Sequence, residues 1–229
     1  MVVFKYFLLI FTIKIILSNP SLAMQIEDGD NAAKTLHQAI RFGNIAVIKS
    51  LCGGKGFDVD ATVDHTKRTA LHRAVIEGKR EAVKLLISLG ANLSCEDYCG
   101  WTPFQHAAAG GNREVMEELI NQVEVSLSRR AKETQLQGPQ REDFLNQGRY
   151  YLINGKNHHG QTPLHLAIVT ARFTEKELIF LLGKLVRMRV DLTEKDNKGK
   201  TPYDYALNVG YHRLAHRIDE LGNNKVREK

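Results

Sequence analysis

One short segment recurs along this chain and limits what it can fold into. Thr162-Pro163-Leu164-His165-Leu166-Ala167 has counterparts in Thr69-Ala70-Leu71-His72-Arg73-Ala74, in Thr102-Pro103-Phe104-Gln105-His106-Ala107 and in Thr201-Pro202-Tyr203-Asp204-Tyr205-Ala206. Upstream, Thr35-Leu36-His37-Gln38-Ala39 reads as a degenerate first copy. Leu36 and Leu71 lie 35 residues apart, and Leu71 and Phe104 lie 33 apart. Seven residues past each anchor stands a glycine (Gly43, Gly78, Gly111, Gly210), except in the Leu164 copy, which has Ala171. Units this small cannot cover their own apolar faces, so the chain must stack them side by side.

The spacing has a physical reading at each position. Thr ahead of Pro is a helix start: the hydroxyl caps a free amide, and Pro at the first helical position gives up no hydrogen bond. Leu and the Ala three residues on share one helical face, and the small Ala lets a neighbouring helix approach. The following Gly ends the helix in a left-handed conformation. A second helix is predicted after it. Arg80 to Ser88 should bury Val83, Leu86 and Ile87, Arg113 to Gln122 should bury Val115 and Leu119, and Tyr211 to Leu221 should bury Leu214, Ile218 and Leu221.

These segments resemble the ankyrin repeat, whose signature is T-P-L-H-x-A at a period near 33. Gly100, Gly160 and Gly199 fill the family's turn position, and Gly90-Ala91-Asn92-Leu93 matches a further segment. The resemblance implies an all-α solenoid of about five helix-turn-helix repeats joined by β-hairpin-like turns, with an insertion in the third repeat. The expected domain covers residues 31–223, with repeats near 31–63, 64–96, 97–156, 157–195 and 196–223. Thr69, Leu71, His72, Thr102, Pro103, Thr162, Pro163, Leu164, His165, Thr201 and Pro202 are then its structural motif. In the family the motif histidine bonds backbone near the turn, so His37, His72 and His165 are expected to be structural.

Two places break the period. The stretch 124–151 is inserted in the third repeat and is polar. Val123, Leu127 and Ala131 recur every four residues, so the preceding helix is expected to run on until Gly138-Pro139 stops it. Pro139 to Gln147 then forms a short separate helix capped by Gly148. Either a docking element or a tolerated surface loop would fit this composition. A smaller insertion at Gly183 to Arg189 looks like helix extension, with Lys184, Arg187 and Arg189 as a basic edge.

The first 23 residues differ from the rest. Lys5 precedes an almost wholly apolar run, Phe7 to Leu17, and then come Pro20, Ser21 and Ala23. This is the pattern of a secretory signal, with cleavage expected after Ala23, a linker at 24–30 and a tail at 224–229. The mature chain would be secreted or periplasmic and free of the membrane. Retention of residues 2–17 as a membrane anchor is the alternative, although Lys14 interrupts them and the run is short against the roughly 20 residues a spanning helix needs. With the leader, the chain resembles exported bacterial ankyrin proteins.

Removing Lys5 and Lys14 lowers the formal charge from +6 to +4. The charges are interspersed, which leaves no nucleic-acid footprint. Three cysteines, Cys52, Cys95 and Cys99, are no disulfide framework, though a Cys95–Cys99 pair stays open. A Cys95/Cys99/His106 metal site would need a second ligand pair. Catalytic signatures are absent from the sequence: Cys52-Gly53-Gly54-Lys55-Gly56 lacks the spacing of a phosphate loop, and neither G-x-S-x-G nor H-E-x-x-H occurs. No enzyme activity, metal or cofactor is expected.

What remains is binding. The family resemblance implies a concave surface of turn tips and first-helix faces that holds a partner protein. By position, the candidate contacts are Arg73, Tyr98, Trp101, His106, His158, Gln161, Lys198 and Lys200. The sole tryptophan, Trp101, with Tyr98, Arg73 and His106, is the expected anchor, since Trp, Tyr and Arg dominate binding hot spots. Packing of Trp101 on the adjacent turn is the competing role. The partner is an unknown protein, and the polar ends of the array point to a monomer. An adaptor tethered to a membrane, or an immunity protein that plugs a toxin, uses the same surface.

Overall fold

The computed structural model describes residues 29–54, 56–62 and 64–227. The leader (1–23), nearly all of the 24–30 linker, Lys55 of the glycine-rich segment and the end of the 224–229 tail lie outside them. Among the described residues there are eleven helices and no strand. They are α1 (Gly29–Arg41), α2 (Ile45–Cys52), α3 (Ala70–Ile76), α4 (Arg80–Ser88), α5 (Pro103–Gly110), α6 (Arg113–Glu133), α7 (Gly138–Asn154), α8 (Pro163–Val169), α9 (Glu175–Arg187), α10 (Pro202–Val209) and α11 (His212–Arg227).

Two rows of helices form. The inner row runs α1, α3, α5, α8, α10, and the outer row α2, α4, α6, α9, α11, each helix packing on the next in its row, with α1–α2, α3–α4, α5–α6 and α10–α11 also packed as pairs. The inserted α7 lies against α6 and α8. The core runs unbroken between the rows. Leu71, Phe104 and Leu164 sit at its centre, with Val83, Leu86, Ile87, Val115, Leu119, Leu214 and Ile218 from the outer row. Leu221, expected in the core, is only half-buried, lining a hollow between α9 and α11.

The starts of the inner helices follow the cap chemistry. Thr69 accepts from the His72 amide (3.4 Å) while the His72 Nδ1 accepts from the Thr69 amide (3.2 Å). Thr102–Gln105, Thr162–His165 and Thr201–Asp204 close the same reciprocal ring. Such a ring satisfies two orphan amides at once. In His72 and His165 the acceptor role of Nδ1 leaves the proton on Nε2, which donates to the carbonyls of Trp101 and Lys200, each at 3.0 Å. Each such bond ties one repeat to the next turn. Gln105 does the same with its Nε2, but to the Gly155 carbonyl at the end of α7 (2.9 Å).

His37 departs from its expected role. The helix α1 starts upstream at Gly29, so no Thr cap faces the ring, and both ring nitrogens are buried without a hydrogen bond. Burial holds its pKa below the ordinary value, with the Arg73 charge acting in the same direction.

The insertion follows expectation in its first half and departs from it in its second. The helix α6 does run on past Gln122, for eleven residues, and ends at Glu133, short of Gly138-Pro139. The following helix is not a short Pro139–Gln147 segment, because α7 continues to Asn154. Gly148 is no cap. It lies inside α7 against α6, where an added Cβ would meet Leu127 Cδ2 at 2.6 Å. The hairpin is bound to the solenoid rather than loose on it. Arg129 donates to the Ile87 carbonyl at the end of α4 (2.6 Å), and Arg130 donates to Asn92 (3.2 Å). Arg149 pairs with Glu124, and Asn154 is buried between the Arg189 carbonyl and the Asp191 amide. The last outer helix starts at His212 and reaches Arg227, past the expected Leu221.

Candidate protein-binding surface

The turns between repeats set the tips. In each, one side chain organises the loop from below. Asp97 Oδ1 accepts from the Cys99 and Trp101 amides (2.9 and 3.1 Å), Asn157 Oδ1 from those of His159 and Gln161, and Asp196 Oδ1 from those of Lys198 and Lys200. Gly100, Gly160 and Gly199 follow with φ near +72°, the left-handed corner that a side chain resists. Neighbouring tips are linked by backbone bonds, Tyr98 N–H to the Thr66 carbonyl and Asn197 N–H to the His159 carbonyl.

The second carboxylate oxygen of each aspartate turns to the inner helix that follows its turn. Asp97 Oδ2 meets His106 Nε2 at 2.8 Å and Arg68 Nε at 3.4 Å. Asp196 Oδ2 accepts from the Tyr205 hydroxyl at 2.7 Å. Burial opposes the charge on Asp97, but the His106 ring and the Trp101 and Cys99 amides more than offset it and hold its carboxyl below the usual range. Burial likewise pushes the His106 imidazole below its ordinary value, against the pull of Asp97. His72, deeper still, is pushed down to about 4 by burial, although the Trp101 carbonyl favours the charged ring.

These contacts sort the eight candidate residues. Tyr98 projects fully, at 72% exposure. His158, Lys198 and Lys200 are exposed on the tips, and neither lysine has an ion-pair partner among the described residues. Arg73 is half-exposed and pairs with Glu77 at 3.6 Å. Gln161 is half-buried at the base of the fourth turn. Trp101 is half-buried too. Its indole lies against the His106 ring, centroids 5.0 Å apart, and packs on the core. The structure does not bring the four proposed anchors together as one exposed patch: Tyr98 stands free, while Trp101 and His106 are partly enclosed by the fold.

Two features of this surface were not expected. The polar pairs Asp97–His106 and Asp196–Tyr205 share a nine-residue spacing that the sequence offers in both copies. The inserted α7 braces the turns through adjacent tyrosines. Tyr151 donates to Glu96, and Tyr150 donates to Glu194 at 2.9 Å, which also pairs with Lys156 at 2.7 Å. Nothing in the sequence pairs residues so far apart. All three cysteines are free thiols, so the Cys95–Cys99 pair that the sequence leaves open is not formed, and burial pushes the thiols of Cys52 and Cys95 up to about 11. No cluster suited to a metal occurs among the described residues, and no helix there is long and apolar enough to cross a membrane.

Stacked helix pairs, reciprocal Thr caps and linked turns define a helical repeat solenoid, and its sequence matches the family of ankyrin repeats (3 copies) at residues 11–97 and 36–131. The chain belongs to the ankyrin-repeat family. Among similar proteins, the Notch-regulated ankyrin repeat-containing protein of Xenopus tropicalis is 33% identical over 100 residues, which is 42% of this chain and 87% of that one. A putative ankyrin repeat protein of Rickettsia felis is 26% identical over 170 residues, 72% of this chain and 42% of that one. The glycerophosphocholine phosphodiesterase GDE1 of Eremothecium gossypii is 33% identical over 99 residues, and the chain spans 8% of its length.

Proposed function

We propose that this chain is a non-catalytic protein-binding module that grips a partner through its turn tips and concave face. One observation carries this reading. The turns are held by their backbone and by buried Asp97, Asn157 and Asp196, so the side chains of Tyr98, Lys198 and Lys200 are displayed without a part in holding the fold, and the His158 ring rests on Gly100 of the preceding turn. Side chains presented on a rigid frame keep the ordering cost of binding low. The reading extends to export: residues 1–23 serve as a leader removed after Ala23, and the mature chain works outside the cytoplasm, in the periplasm or beyond the cell.

The test uses the mature chain, immobilised, to capture proteins from its natural surroundings. Tyr98→Ala and the pair Lys198→Ala/Lys200→Ala should keep the melting temperature and lose capture at least about tenfold, as hot-spot truncations do. Capture unchanged by all three substitutions rejects the surface. Trp101→Ala is the poorer probe, because the indole also packs on His106 and the core. N-terminal sequencing of the exported protein should begin at Met24. A chain found at the membrane with residues 2–17 retained would reject export.

A further inference from the structure

The outer row carries a second surface that the concave-face reading leaves unused. Between α9 and α11 runs a trough of two adjoining hollows, about 440 and 370 Å³, which share Ile179 and Arg217. Its floor is apolar, made by Ile179, Leu182, Val186 and Leu221. Its rim is basic: His212, Arg213 and Arg217 on α11 and Arg187 on α9. One carboxylate lines it among the described residues, Glu220, and this is already engaged by Arg217 at 3.0 Å and His216 at 3.4 Å. Arg187 and Arg213 have no ion pair among the described residues.

Gly183 adds an independent observation. It lies inside α9, where glycine is a poorer helix former than alanine. Its backbone φ is not in the left-handed region, and an added Cβ would have nothing within 4 Å. Neither conformation nor packing therefore requires a glycine here. What its missing side chain does is leave open the hollow floored by Leu182, Val186 and Leu221.

We propose that this trough is a docking site for an acidic amphipathic helix of another protein. An apolar floor flanked by cations on both walls complements a helix with leucine-like residues at i, i+3, i+4 and i+7 and carboxylates beside them. The unpaired arginines would steer such a segment and fix its register.

The test uses the full chain and a fluorescein-labelled peptide with leucines at those positions and glutamates elsewhere, read by fluorescence anisotropy. A counterpart with lysine for every glutamate serves as control. The acidic peptide should bind at least about tenfold more tightly than the basic one, and less tightly as salt rises. Arg213→Glu/Arg217→Glu should weaken it by at least about tenfold. Gly183→Phe should block the trough while leaving the melting temperature unchanged or raised, since glycine is the poorer helix former. Tyr98→Ala should leave this binding intact, which separates the site from the concave face. Equal binding of both peptides, no binding of the acidic one, or full binding by the Gly183→Phe or double-arginine variant overturns the proposal. So does stronger binding to phosphatidylglycerol vesicles or duplex DNA than to the peptide.

Discussion

The fourth repeat and the two before it share one plan, yet they meet its demands differently. In the second the left-handed corners fall on Gly78 and Gly90, and in the third on Gly111 and Gln135 (φ 56°). In the fourth the same corners fall on Ala171 (φ 49°) and Arg189 (φ 63°), where a Cβ crowds the backbone. The third repeat pairs its buried Asp97 with His106, whereas the fourth has Asn157 and, nine residues on, Leu166. Asn157 Oδ1 is held by two amides, so its Nδ2 stays buried with no acceptor. The plan tolerates these departures because each repeat leans on its neighbours, and strain in one is offset by packing in the next.

The largest effect expected from this comparison concerns pH. In the second repeat, burial lowers the folded pKa of His72 from 6.5 to about 4. The ring is therefore neutral when folded, while the unfolded chain takes up its proton below about 6.5. Stability should fall as pH drops from about 6.5 to about 4, by roughly 3 kcal/mol for this residue. His106 and His165, also held low by burial, act in the same direction. The third repeat supplies the control, because Gln105 makes the same cap and an equivalent bridge with no titrating group. His72→Gln should keep most of the stability at pH 7 and lose much less on acidification, measured by urea unfolding at pH 7 and pH 4.5.

A middle-sized effect should come from repairing the fourth turn. A buried unsatisfied donor costs about 1–3 kcal/mol. Asn157→Asp with Leu166→His would reproduce the Asp97–His106 arrangement. The double variant should be more stable than the sum of the single changes implies, with a coupling of about 1–3 kcal/mol in a double-mutant cycle. Additive effects would mean that the fourth repeat has no room for the pair.

The smallest effects come from the corners. Ala171→Gly and Arg189→Gly should each raise stability by about 1 kcal/mol, since the relieved left-handed strain exceeds the entropy that glycine adds to the unfolded chain. A rise in the midpoint of thermal unfolding checks this. The reverse change, Gly78→Ala, should lower it, because the new Cβ would also press on Asn112 Nδ2 at 2.7 Å.

Local spacing alone determined a good deal here. The Thr-led helix starts, the paired helices and the left-handed corners at Gly43, Gly78, Gly111 and Gly210 depend on residues a few positions apart, so they are written directly in the chain. Even the departure at Ala171 was legible as a missing glycine. The site was legible only as a set of positions. Which side chains stand free and which are enclosed depended on side-chain contacts made in the folded state: His106 under Asp97 and Trp101 within its repeat, and Tyr151 on Glu96 from 55 residues away. The same is true of α7, which the sequence would end at Gly148 and which the packing of Leu127 carries on to Asn154. Local propensity stops a helix only where tertiary burial has nothing to gain from continuing it, and that gain is set by residues the local sequence does not contain.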